Sequence, residues 1–120
     1  MKACRITAEY VDNANETLVF VGVVGPEGRL VPGQLLGYVK DADGPNEEIG
    51  TYPFLIEPVP HSHKGDGQIF WGDWGRHCPD FADAEDIDVF RVPMVVGEYI
   101  ARRNGEDESV YRITYIVPMD

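Results

Sequence analysis

The chain reads as an all-β domain, mainly antiparallel, and three observations carry that reading. Alternating or β-branched segments bracket the chain at both ends, 13 glycines and nine prolines interrupt its 120 residues, and no stretch sustains a helical period. The architecture expected is a small β-barrel or a two-sheet sandwich, with one short helix and one long irregular loop. The barrel is favoured because pairing of the strongly β-like terminal segments would leave no free sheet edge. At this length the chain is most simply one domain, residues 1–120.

The elements follow in order. CRITAEYV (4–11) alternates, with Cys4, Ile6, Ala8 and Tyr10 on one side and Arg5, Thr7 and Glu9 on the other, as a half-buried strand does. After the turn formers DNANE, the run Thr17 to Val24 is β-branched and nearly continuous, which predicts a strand covered on both faces. LVPGQLLGYV (30–39) holds Pro32, Gly33 and Gly37, so its strand should be short, bent or at an edge. TYPFLIEPVP (51–60) carries three prolines around Phe54, Leu55 and Ile56, which excludes a helix and suits an extended edge segment.

From His61 to Asp80 no period is visible apart from a short strand at Gln68 to Trp71, and an aperiodic span of this length with two tryptophans is expected to be functional and not disordered. Asp80 can cap a short helix in DFADAEDIDVF (80–90). MVVGEYIARR (94–103) and SVYRITYIV (109–117) flank NGEDE as a hairpin, with Tyr111, Ile113, Tyr115 and Val117 on one face. Between them these segments make five to seven strands.

Charge narrows the functional classes. Ten Lys and Arg face 21 Asp and Glu, and the excess is shared by both halves: four basic and nine acidic groups in 1–60, six and twelve in 61–120. A formal charge of −11 repels phosphate backbones and anionic membranes and speeds encounters with basic surfaces. Direct nucleic-acid binding and membrane association are therefore not expected. The N-terminus has no apolar run of secretory type and no stretch is long enough to span a bilayer, so a cytoplasmic protein with reduced Cys4 and Cys78 is expected.

The densest chemistry lies in HSHKGDGQIFWGDWGRHC (61–78) and the acidic run behind it. His61 and His63 on an extended segment point to one side and could offer two imidazoles to a metal, with His77 or Cys78 as third ligand and Asp66 or Asp73 as carboxylate. Against this, adjacent His77 and Cys78 face opposite ways and no second cysteine pair closes a structural site. No catalytic residues are assigned: Ser62 and Ser109, the only serines, lack a nucleophile-elbow context. Phe70, Trp71 and Trp74 on a glycine frame, beside Asp80, Asp83, Glu85, Asp86 and Asp88, form instead a candidate contact surface.

Three functions compete. The leading one is a small acidic, non-catalytic binding protein without a cofactor, of inhibitor, immunity or phage type, that engages a basic macromolecular partner through residues 61–90. The second is a zinc- or iron-dependent enzyme with His61, His63 and His77 as ligands. The third is an assembly subunit that forms homo-oligomers, with 52–60 as the associating edge.

Overall fold

A computed structural model of the chain describes residues 2–41, 51–59, 65–71 and 85–119. Eight strands follow one another: β1 (Lys2–Tyr10), β2 (Asn13–Val24), β3 (Leu35–Asp41), β4 (Thr51–Pro58), β5 (Gly67–Trp71), β6 (Glu85–Asp88), β7 (Tyr99–Asn104) and β8 (Asp107–Pro118). Each pairs antiparallel with the next, and β8 returns to pair with β1, closing an up-and-down barrel. The sheet is thus single and closed, not a two-sheet sandwich. Among the described residues there is no helix. The start of the segment expected to form the short helix, Asp80 to residue 84, lies outside them, and Glu85–Asp88, which follows, is strand. No helix among the described residues is long and apolar enough to cross a membrane.

Alternation fills the interior. Ile6 and Ala8 of β1, Leu18 and Phe20 of β2, Phe54 and Ile56 of β4, Ile69 of β5, Ile87 of β6, Ile100 of β7, and Tyr111 and Ile113 of β8 are fully buried. An eight-stranded barrel has an interior that side chains just fill, so large rings need compensating space. Gly37 of β3 supplies it. A Cβ there would meet the Val19 carbonyl oxygen, the Phe54 ring at 2.7 Å and Phe20 Cβ at 2.8 Å.

Prolines within a closed sheet demand an explanation, because each removes a ladder donor. The register provides one. β4 pairs with β3 over Thr51 to Ile56 but with β5 only over Phe54 to Pro58. Among the described residues Pro53 and Pro58 therefore fall where β4 has a partner on one side alone, and the expected edge segment is an interior strand paired with both β3 and β5.

Two further expectations are corrected. Between Ile113 and Tyr115 the β1–β8 register shifts, Ala8 facing Ile113 and Thr7 facing Tyr115, so Thr114 is an extra residue. The bulge moves Tyr115 and Val117 outside and turns half-buried Ile116 toward the core. On β2, continuous hydrophobicity does not mean double cover: Leu18 and Phe20 are inside, whereas Val21 and Val23 are exposed on the outer face.

The two barrel ends differ. Connections 25–34 and 89–98, with residues 59, 65 and 66 between β4 and β5, share one end, which buried Leu30, Phe90 and Met94 close. Asp66 fastens this plug: its Oδ1 accepts from the Val89 and Phe90 amides at 2.8 and 3.0 Å, and its Oδ2 from the Arg91 amide at 2.7 Å. The turns 11–12 and 105–106, the last residues of β3 and β5 and the first of β4 and β6 share the opposite end.

Gly37→Ala tests the packing argument. Overfilling of this kind costs about 1–3 kcal/mol. The urea midpoint should fall with an unchanged slope, and a midpoint equal to that of the native chain would refute the account.

Candidate binding site at the acidic end of the barrel

At the end opposite the plug, inward positions of the strands turn polar and surround a cavity of about 380 Å³ lined by Glu16, Val39, Asp41, Tyr52, Pro53, Trp71, Glu85 and Arg102. The topology gathers them: Glu16 is near the start of β2, Asp41 ends β3, Trp71 ends β5, Glu85 begins β6 and Arg102 lies in β7. Glu16 and Asp41 are direct cross-strand partners. Like charges so placed repel, a local cost tolerated at this mouth.

Arg102 organises the wall. Its Nε lies 3.1 Å from Glu85 Oε2, and its guanidinium carbon stands 5.2 Å from the Trp71 ring centroid and 5.6 Å from that of Tyr111. One cation is thus shared between a carboxylate and two aromatic faces, on side chains only 20% and 13% exposed for the ion pair. The contact is an ion pair and not an aligned hydrogen bond, since among the described residues Glu85 Oε2 has no hydrogen-bond partner, nor has the buried Trp71 Nε1. Trp71 also packs edge-on against Phe54 with centroids 5.6 Å apart.

Tyr111 forms the floor. Its ring is fully buried, tilts against Tyr10 at 5.4 Å, and its hydroxyl donates to Glu16 Oε2. Burial, followed by the hydrogen bond to Glu16, raises the Tyr111 pKa well above the ordinary 10.0. The phenol is therefore a proton holder that fixes the Glu16 carboxylate, not a source of tyrosinate.

The residues singled out in the sequence are dispersed. Trp71 and Glu85 meet at the cavity. Phe70, by alternation on the outer side of β5, is 6% exposed, so it is buried and not displayed. Asp88 binds Arg103 at 2.8 Å and lies 3.5 Å from Arg91, while Glu108 holds Arg103 from the other side at 3.0 Å. The Asp88 hydrogen bond is the main reason the Arg103 pKa is raised. Asp86 stands on the outer side of β6 between Gln68 and Arg103. Trp74, Asp80, Asp83 and the proposed ligands His61, His63 and His77, with Asp73 and Cys78, lie outside the described residues. Asp66 is spent on three backbone amides, which leaves it a structural clamp and not a free carboxylate. Among the described residues no group of three His, Cys, Asp or Glu is placed to hold a metal ion.

Glu16, Asp41, Tyr52, Arg102 and Tyr111 were not singled out in the sequence. Only the meander topology brings them together, because alternate strand ends converge on one mouth. No family model, curated protein or solved structure matches the chain.

Two outcomes follow. A phenol whose folded pKa is raised contributes stability that is complete below its unfolded value of 10.0 and lost as pH rises beyond it, because the unfolded chain ionises first. Urea midpoints should thus drop between about pH 9 and 11, and Tyr111→Phe should flatten that drop. Arg102→Leu leaves the mostly buried Glu85 carboxylate without its cation. The cost should be about 2 kcal/mol, below the range for fully buried pairs because both groups keep some solvent; an unchanged thermal midpoint would show that the pair contributes nothing.

Proposed function

We propose that the chain is a non-catalytic binding protein whose acidic barrel end engages a basic macromolecular partner. One observation carries the reading: among the described residues, charge is segregated along the barrel axis. The cavity lining and the turns at its end hold Asp12, Glu16, Asp41, Glu85 and Glu106 against a single base, Arg102. The described residues of the connections at the plugged end hold Glu27, Asp66 and Glu98 against Arg29 and Arg91, a nearly balanced set.

Such a field accelerates encounter with a basic surface and sets which end meets it. The cavity rim adds anchoring potential: Tyr52, Pro53 and Trp71 present apolar and aromatic walls among Glu16, Asp41 and Glu85. Of the 61–90 region, Trp71 and Glu85 contribute directly to this mouth.

The test compares two charge reversals of equal size. Asp12→Lys with Glu106→Lys alters the acidic end; Glu27→Lys with Glu98→Lys alters the plugged end. Surface plasmon resonance against an immobilised lysine-rich peptide should show association slowed about tenfold or more by the first pair and little by the second, and the native rate should fall steeply with added salt. Equal effects of the two pairs would mean that net charge alone is at work and would sink the proposal.

A further inference from the structure

Granted that the acidic end is the contact surface, we infer that its cavity receives one lysine side chain of the partner, with the ammonium held among Glu16, Asp41 and Glu85. Strands β2 to β7 each contribute to the lining, so the cavity is a product of barrel closure and not of any one loop. Among the described residues the lining carries three carboxylates against the one guanidinium of Arg102, a formal charge of −2. Inside a partly enclosed, poorly screened space that sign favours a cation over a neutral or anionic guest. A volume of about 380 Å³ is at the small end of ligand sites, with room for one side chain and not for a folded element.

The walls distinguish between cations. The aromatic faces on which a second guanidinium would stack, those of Trp71 and Tyr111, are taken by Arg102 at 5.2 and 5.6 Å from their centroids. The carboxylates come from three strands, and β6 stands opposite β2 in the ring of eight, so Glu85 and Glu16 approach from opposite sides. An ammonium, with three donors spread about one nitrogen, suits acceptors so separated, whereas a guanidinium fork matches the two oxygens of one carboxylate. The four-carbon stem of lysine needs an apolar path. Val39 and Tyr52, direct partners across β3 and β4, provide it together with Pro53.

Two anchors are prepared for the charge. Glu85 Oε2 is buried and, among the described residues, has no hydrogen-bond partner, although Arg102 Nε lies 3.1 Å away. A buried acceptor left without a donor is costly, and an ammonium is a donor that a negative cavity attracts. Glu16 is fixed by the Tyr111 hydroxyl before any guest arrives, so little side-chain entropy is lost on binding.

The test is a titration of the full chain at low salt with a blocked glycine and serine peptide that carries one central lysine, followed by amide NMR shifts. Signals of Glu16, Asp41, Tyr52 and Trp71 should move saturably. Exchange of the lysine for norleucine or Nε-acetyllysine should abolish those shifts, and exchange for arginine should weaken binding about threefold or more. Glu16→Gln, whose amide oxygen can still accept from Tyr111, should weaken the lysine peptide about tenfold. Equal affinity for the norleucine, acetyllysine or arginine peptide overturns the inference, and these comparisons leave the protein itself unaltered. So does a lysine peptide that moves only Asp12 and Glu106, outside the cavity. Failure of the cavity and failure of the acidic end look different. If Asp12→Lys with Glu106→Lys slows association while Glu16→Gln and the norleucine exchange leave affinity unchanged, the end attracts a basic surface and the cavity receives nothing. If the lysine peptide fills the cavity while that reversal leaves association unaltered, the directed attraction fails and the lysine site stands.

Discussion

Closure of the sheet by β1 and β8 is the constraint on which the rest depends. Once these strands pair, every inward side chain must share one narrow interior, and every polar group at a strand end is directed to one of two openings. Packing then becomes a matter of volume. Gly37 yields space to Phe20 and Phe54, while the Thr114 bulge adjusts how β8 meets β1. Because a closed sheet offers no free ladder of amides, association can proceed only through loops, the mouth or the outer face.

The two openings were put to different uses. One is sealed by Leu30, Phe90 and Met94 and tied by Asp66, whose carboxylate satisfies three amides that the 89–98 connection would otherwise leave bare. With that end holding the core, the other can carry groups that oppose stability. Glu16 facing Asp41, an indole N–H with no acceptor among the described residues and an imperfectly aligned ion pair are local costs to folding at this mouth.

Much of the fold was legible from local pattern. The alternation of CRITAEYV placed Cys4, Ile6 and Ala8 inside, where they are buried, and the β-like ends of the chain argued for closure before β8 was seen to meet β1. What escaped was non-local. Nothing around Thr114 announces a bulge, since it arises from fitting β8 to β1, and the apolar run Thr17 to Val24 does not reveal which of its faces lies outside. The candidate site was harder still. Trp71 and Glu85 fell within the region singled out, but Glu16, Asp41, Arg102 and Tyr111 come from three other parts of the chain and are joined only by strand order. Asp66 misled for a related reason: a carboxylate between glycines looks available until the amides of residues 89–91 come round to it.

The uneven distribution of acids among the described residues of the two ends gives the barrel an electric dipole along its axis. A torque therefore acts on the molecule in the field of any charged surface, and it acts over roughly a Debye length, before van der Waals contact begins. Rotational search, ordinarily the slow part of finding a matching patch, is shortened on one side of the encounter only. Before a positively charged surface that torque turns the mouth forward.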